Sequence, residues 1–244
     1  MMMNDFVAQF DFAWSWLGLG FALAMFGVLF LTDVFRGNTA KSRLWDGQWF
    51  AWLIAPMYML HQFEEYALHY DWAKLSHPFA NMICEKVGYL PYPDCPIPVQ
   101  HYWLVNMSLW LFAMIGAKFY RKNPMVALAP FGLIFSNGLL HIVGWLVSGN
   151  SLLDSASGGT ITSILLFIPV SVWLGFVLTK QKVMSVWAYG ATLLAGTIGH
   201  LILFGAYASL DKGGLVALYT FDLLAIGSPL LWAWLLSRWF LANK

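Results

Sequence analysis

The sequence predicts an all-α fold, a polytopic membrane helix bundle of seven transmembrane helices with the N-terminus outside and the C-terminus cytoplasmic. Three observations lead to this prediction: the apolar composition, seven long apolar segments and the one-sided placement of Lys and Arg. Of the 244 residues, 60% are hydrophobic and 10% are charged, whereas soluble domains carry roughly 25% charged residues. No stretch resembles a soluble domain, so residues 1–244 are predicted to form a single integral-membrane domain.

Seven segments have the length and apolarity of a membrane span. A bilayer core about 30 Å thick needs about 20 apolar residues per helix, and none of the segments alternates apolar and polar residues as a barrel strand does. The predicted spans are Phe12–Leu31, Gln48–His69, Pro98–Phe119, Pro124–Val147, Gly158–Thr179, Val183–Ala208 and Gly214–Phe240. The residues before the first span lack the basic region of a signal peptide, so they are expected to be retained as its approach.

The Lys and Arg residues predict the orientation of the helices, because short loops rich in these residues stay in the cytoplasm. Ten of the thirteen fall on one side of the predicted bundle: Arg36, Lys41, Arg43, Lys118, Arg121, Lys122, Lys180, Lys182, Arg238 and Lys244. Lys74, Lys86 and Lys212 remain for the other side. The chain is therefore predicted to begin outside and end inside, which requires an odd number of helices.

Both cysteines, Cys84 and Cys95, lie in the long connection between the second and third predicted helices, on the outer side. In an oxidising compartment a disulfide would close this small loop and contribute up to about 3 kcal/mol in the loop-entropy model. The alternative is a pair of free thiols in a Pro-rich loop.

The second predicted helix contains four ionisable groups in the stretch LHQFEEYALHY, residues 60–70. A helix turns 100° per residue, which places Glu64 about 60° to one side of His61 and Glu65 about 40° to the other, on one shared face. His69 extends that face by another turn. A carboxylate in hydrocarbon costs roughly 2.5–3.5 kcal/mol, and a divalent cation would stabilise two adjacent ones. The alternative is a hydrogen-bonded network with one Glu protonated and the other paired with a histidine.

Other predicted helices place polar side chains at the same depth, in the outer half of the bilayer. A lone buried His or Asn is usually a hydrogen-bonded structural residue, but one shared layer of such residues predicts a metal site. The predicted metal ligands are His61, Glu64, Glu65, His141 and His200. The predicted catalytic groups are Glu64, Glu65 and Asn137, and His69, Asn106 and Asp222 are predicted to support the site.

Two motifs in this layer resemble those of the HXXEE-domain family, small bacterial multi-helix membrane proteins that carry HxxEE followed by NxxxH. Here the motifs are His61-Gln-Phe-Glu64-Glu65 and Asn137-Gly-Leu-Leu-His141. A third family motif, HxxxY, is met only approximately, because Phe204 stands four residues after His200 and Tyr207 follows one turn later. The resemblance extends from about Leu60 to beyond His200. It implies a metal or active site and a bacterial inner-membrane location, but no particular substrate.

Three imidazoles with one carboxylate suit Zn²⁺, or alternatively Fe²⁺, better than Mg²⁺ or Ca²⁺. The second glutamate then serves as general base, and Asn137 orients a ligand or donates to an oxyanion. The first hypothesis is therefore a membrane metallohydrolase that cleaves an amide or ester of a lipid or other hydrophobic small molecule.

Two further hypotheses stay open. One is a non-haem iron or di-iron oxygenase or desaturase, although di-iron proteins usually carry Glu-x-x-His on two helices and membrane desaturases carry more histidines than this chain. The other is a proton or metal-ion transporter, which glycines and a proline in the fourth and sixth predicted helices allow, although the inner halves of the helices offer few polar groups. The net charge of +1 argues against nucleic acid as a partner, and the oligomeric state is left open.

Overall fold

The computed structural model describes residues 2–68, 70, 77–154 and 157–241, with side chains from residue 6 onward. The described residues form helices and no strands, which confirms the all-α prediction. The helices are α1 (Met2–Leu31), α2 (Gly47–Tyr66), α3 (Pro78–Lys86), α4 (Val99–Lys118), α5 (Pro124–Ser148), α6 (Thr160–Thr162), α7 (Ile168–Lys180) and α8 (Val186–Phe240). A π-helical turn, Ser163–Phe167, joins α6 to α7, so that Thr160–Lys180 forms one continuous helix, called α6–α7 below.

Four helices among the described residues are long and apolar enough to cross a membrane. They are Phe6–Leu31 of α1, α5, α6–α7 and α8. Their length and composition are those of a membrane protein, because about 20 apolar residues span the hydrocarbon core. The second and third spans predicted from the sequence correspond to α2 and α4, each a helix of 20 residues.

Helix α8 is a hairpin of two helical limbs, residues 186–213 and 215–240. Gly214 interrupts it with φ 59° and ψ −157°, a conformation that a residue with a side chain adopts only under strain. The limbs then run side by side, since a Cβ on Gly199 would lie 2.6 Å from Pro229 Cγ and one on Gly205 would lie 3.1 Å from Phe221 Cε1. The two limbs correspond to the sixth and seventh helices predicted from the sequence.

The first limb of α8 packs closely against α5 through small residues. A Cβ on Gly132 would lie 2.2 Å from Leu193 O, and one on Gly196 would lie 2.3 Å from Leu133 N. Glycines at such crossings allow two helix backbones to approach each other directly. The contact holds together the two helices that contribute His141 and His200 to the interior.

The basic connections predicted to share one side meet at one end of the bundle. Lys41 Nζ in the α1–α2 connection donates to Gln181 Oε1 in the α7–α8 connection at 2.8 Å. Arg121 Nε, after α4, donates to Gln48 Oε1 at the start of α2 at 3.0 Å. Asn123, at the start of α5, donates to a hydroxyl near the end of α8 at 2.7 Å. The Lys and Arg residues of these connections are therefore gathered at one pole of the molecule.

The opposite end carries α3, which a disulfide holds in place. Cys84 in α3 is bonded to Cys95 in the connection to α4, so the two cysteines form a disulfide rather than free thiols. Earlier in that connection, before Cys95, Tyr89 O–H donates to Asp211 Oδ1 near the break in α8 at 2.6 Å. These links fix α3 over the interior of the bundle, where it forms one wall of the cavity described next.

Candidate metal centre

Three side chains bring ligand atoms together in the interior: His61 and Glu65 of α2 and His141 of α5. One atom from each lies within 4.8 Å of the others. Glu65 Oε1 is 2.8 Å from His141 Nε2 and 3.3 Å from His61 Nε2. The spacing of four residues places His61 and Glu65 one turn apart on the same face of α2. Such a group of two imidazoles and one carboxylate could hold a metal ion.

A chain of hydrogen bonds orients the His61 ring. Its Nδ1 lies 2.7 Å from Thr162 Oγ1, and the Thr162 hydroxyl donates to Gly159 O at 3.2 Å. The hydroxyl has one proton, so Nδ1 of His61 donates to it, and Nε2 carries the lone pair. That Nε2 is buried and lies 3.3 Å from Glu65 Oε1 without the geometry of a hydrogen bond. A histidine fixed through one nitrogen, with the other turned toward a carboxylate, is the arrangement found in metal ligands.

Glu64 lies beside this group and has different partners. Its Oε1 accepts a hydrogen bond from the Ile161 N–H and its Oε2 accepts one from the Thr162 N–H, both at 2.8 Å. These amides belong to the first turn of α6–α7, where backbone donors lack partners within the helix and a negative charge is stabilising. The two glutamates therefore have different roles in the structure. Glu65 faces the histidines, whereas Glu64 caps the first turn of α6–α7, which also carries Thr162, the hydrogen-bond partner of His61.

Gly159 passes directly over the ligand atoms. Its φ of +84° favours glycine, and a Cβ here would lie 2.6 Å from His61 Cε1, 2.8 Å from His141 Cε1 and 3.0 Å from Glu65 Cγ. The backbone just before α6 therefore closes the cluster on one side. Phe167 of the π-helical turn closes a second side, with its ring centroid 4.5 Å from that of His61.

The cluster borders a cavity of about 390 Å³ between α2, α3, α4, α5 and α8. Glu65 and His141 contribute to its wall. Polar residues that also line it include Asn106, Asn137, His101, His200, Tyr207 and Lys86, and apolar ones include Phe79, Met82, Ile83, Leu140, Leu203 and Phe204. A mainly apolar cavity with a few converging polar groups is the usual form of a small-molecule site.

The remaining predicted residues lie around the cavity with partners of their own. His200 Nδ1 is 3.3 Å from Ser136 Oγ, and this histidine is outside the group of three ligands although it lines the same cavity. Asn137 also faces the cavity. Asn106 Oδ1 accepts hydrogen bonds from Tyr58 O–H at 2.8 Å and Gln62 Nε2 at 2.6 Å. His69 lies outside the described residues.

Asp222 has a partner that sequence reasoning missed. Its Oδ2 is 2.8 Å from Nδ1 of His101 in the first turn of α4, a residue near the outer end of the predicted span Pro98–Phe119. His101 Nε2 is in turn 3.2 Å from the Tyr207 hydroxyl. The position of His101 three residues into a predicted helix was the available signal, because a side chain there points into the bundle as readily as into water.

A second buried pair was also missed. His77 Nε2, at the start of α3, lies 3.1 Å from Asp11 Oδ2 in α1, and both residues are buried. His77 Nδ1 also contacts Tyr66 O at the end of α2. The pair joins α1, α2 and α3 beside the cavity. Asp11 gave a weak signal in the sequence, because it precedes the apolar run of the first helix.

The fold and the site define a helical membrane protein with a buried His/Glu cluster that could hold a metal ion. The chain belongs to the family described as "Protein of unknown function with HXXEE motif", whose model matches residues 52–174. This confirms the resemblance seen in the sequence, and the matched region contains all three clustered ligands. No curated protein and no solved structure matches the chain.

Proposed function

We propose that this protein is an integral-membrane metalloenzyme that hydrolyses an amide or ester of a lipid or another hydrophobic small molecule. The observation that carries the proposal is the convergence of His61 Nε2, Glu65 Oε1 and His141 Nε2 within 4.8 Å at the wall of a cavity of about 390 Å³. The ligand atoms meet a mainly apolar, partly open cavity, which is what a hydrolase for hydrophobic molecules requires.

The donor set fits a divalent transition metal. Two histidines and one glutamate bind catalytic zinc in hydrolases, with a further position left for water or substrate. The buried Nε2 of His61, 3.3 Å from Glu65 Oε1 without a hydrogen bond, and the backbone of Gly159 closing over the ligand atoms both support an ion between the three residues. When bound, Zn²⁺ would polarise a carbonyl and make a water molecule acidic enough to react at neutral pH.

The residues around the ligands divide the remaining tasks. Thr162 fixes the ring of His61, and Glu64 fixes Thr162 through the first turn of α6–α7. Asn137 and His200 line the cavity and are placed to bind or orient a substrate carbonyl. The aromatic and aliphatic walls exclude water and hold an acyl chain.

For the membrane we propose the seven-helix arrangement, with α1, α2, α4, α5, α6–α7 and the two limbs of α8 as spans. The N-terminus is outside and the C-terminus in the cytoplasm of a bacterial inner membrane. The gathering of basic connections at one pole supports this orientation. The disulfide between Cys84 and Cys95 at the other pole supports an oxidising compartment there.

A non-haem iron oxygenase is the second candidate. Two histidines and one carboxylate with open positions also form the facial triad of Fe(II) oxygenases. The identity of the bound metal separates the two candidates, because zinc supports hydrolysis but has no redox chemistry.

The decisive experiment is elemental analysis of protein purified without chelators. The wild type should contain about one equivalent of Zn or Fe, and His61→Ala and His141→Ala should lose it. The control is His200→Ala, which removes a cavity histidine outside the group of three and should retain the metal. A folded wild type that binds neither metal, even after incubation with Zn²⁺ or Fe²⁺, contradicts both candidates.

A further inference from the structure

A second group of ionisable side chains lines the same cavity as the cluster. Asp222 Oδ2 lies 2.8 Å from His101 Nδ1, and His101 Nε2 lies 3.2 Å from the Tyr207 hydroxyl. The three residues come from α4 and from the two limbs of α8. All are buried, with exposed fractions of 4%, 1% and 7%.

The carboxylate end of this group lies away from the cavity, and the phenol end lies at its wall. Asp222 Oδ1 has no hydrogen-bond partner in the described part of the chain, so the contact of Oδ2 with the His101 ring is the one that orients this carboxyl group. His101 and Tyr207 line the cavity that Glu65 and His141 also line, whereas Asp222 does not. The order carboxylate, imidazole, hydroxyl is the one by which a buried acid orients a histidine to move a proton.

We propose that Asp222, His101 and Tyr207 form a proton relay that protonates the leaving group in this cavity. Tyr207 is the catalytic residue that contacts substrate, and His101 and Asp222 are positioning residues that act through it. The inference rests on the proposed hydrolase function. It also assigns the acid role to a part of the cavity that none of the three metal-ligand candidates occupies.

The protons balance over one hydrolysis. The water oxygen bonds to the acyl carbon while the bond from that carbon to the leaving nitrogen or oxygen breaks. The leaving atom takes the phenolic proton of Tyr207, and Tyr207 takes the Nε2 proton of the His101 imidazolium. The proton released by the attacking water returns to His101. Asp222 holds the Nδ1 proton throughout, so the relay ends in its starting state.

The test compares two probes that share an acyl chain and differ in leaving group. Nitrophenolate leaves para-nitrophenyl laurate without a proton, whereas the aniline of lauroyl anilide must be protonated. In nanodiscs, Tyr207→Phe and Asp222→Asn should each slow anilide cleavage by about 100-fold and ester cleavage by less than about threefold. Tyr189→Phe is the matched control. Tyr189 is a buried tyrosine in the same limb of α8 as Tyr207 but outside the cavity, and the variant removes its hydrogen bond to Ser171 O at 2.7 Å.

Equal losses on ester and anilide would overturn the relay, because a merely structural role does not depend on the leaving group. A wild type that cleaves neither probe would instead contradict the hydrolase proposal, and the acid role with it.

Imidazole nitrogen NMR gives a readout that needs no turnover. The His101 signals, identified by their loss in His101→Gln, should shift in Tyr207→Phe and stay unchanged in Tyr189→Phe. Unshifted signals in Tyr207→Phe would also overturn the relay.

Discussion

At the scale of single residues, Glu64 and Glu65 are adjacent in the sequence but have different partners. Glu65 contacts His61 and His141, while Glu64 accepts two backbone N–H groups of α6–α7. Glu65→Gln should therefore abolish metal binding, because the amide is a poor ligand. Glu64→Gln should retain the metal but lower stability by about 1–2 kcal/mol, because it removes the charged helix cap. Elemental analysis with thermal unfolding measures both effects, and metal loss in both variants would contradict the division.

Gly159 allows a second prediction at this scale. Gly159→Ala places a Cβ against the rings of both His61 and His141 and should abolish metal binding. Gly149→Ala is a matched control, since Gly149 also has a positive φ of 68° but nothing within 4 Å of a Cβ. Both variants should lose about 1 kcal/mol or more of stability from the strained φ. Metal content should separate them, and retention of metal by Gly159→Ala would show that the loop does not define the site.

The sequence placed His61, Glu65 and His141 in one layer of the bundle, but it did not determine the partners of the residues around them. The spacing of His61 and Glu65 determines a shared face, because helix geometry is local. It could not predict that Glu64 would be used by the amides of Ile161 and Thr162, since that pairing depends on where α6–α7 begins in space. For the same reason it included His200, which lines the cavity while its Nδ1 lies 3.3 Å from Ser136 Oγ.

At the scale of helices, the crossing of α5 and α8 determines the shape of the cavity. Gly196→Ala would place a Cβ 2.3 Å from Leu133 N, so the helices must separate at a cost of about 1–3 kcal/mol. Gly190→Ala, in the same limb with open space around it, is the control and should be neutral or stabilising. Thermal unfolding in detergent measures the difference. Equal stability of the two variants would indicate that the crossing is loosely packed.

Helix lengths were largely predictable and their local irregularities were not. The apolar runs correctly indicated α5 as Pro124–Val147, against Pro124–Ser148 in the structure. The chain reversal in α8 was also indicated, because the sixth predicted span ends at Ala208 and the seventh begins at Gly214. The π-helical turn Ser163–Phe167 was not predicted. Phe167 of this turn packs against the His61 ring, a contact between distant parts of the chain that no local pattern encodes.

At the scale of the whole molecule, the two poles differ in charge and in covalent structure. Basic connections meet at one pole, and the disulfide that holds α3 lies toward the other. This asymmetry supports the proposed orientation, with the basic pole in the cytoplasm and the disulfide pole in an oxidising compartment. The cavity is lined by α3, so substrate access is expected from the disulfide pole or the adjacent leaflet.

The orientation can be tested with single cysteines, because both native cysteines are disulfide-bonded. Thr39→Cys lies in the α1–α2 connection and Ser151→Cys lies after α5, and both positions are exposed. Three proposed spans, α2, α4 and α5, separate them, so they should face opposite sides. In intact spheroplasts a membrane-impermeant maleimide should label Ser151→Cys at once and Thr39→Cys only after lysis. Labelling of both positions from one side would require an even number of spans between them and would contradict the seven-helix arrangement. Labelling of Thr39→Cys at once and Ser151→Cys only after lysis would keep the helix count but reverse the proposed orientation.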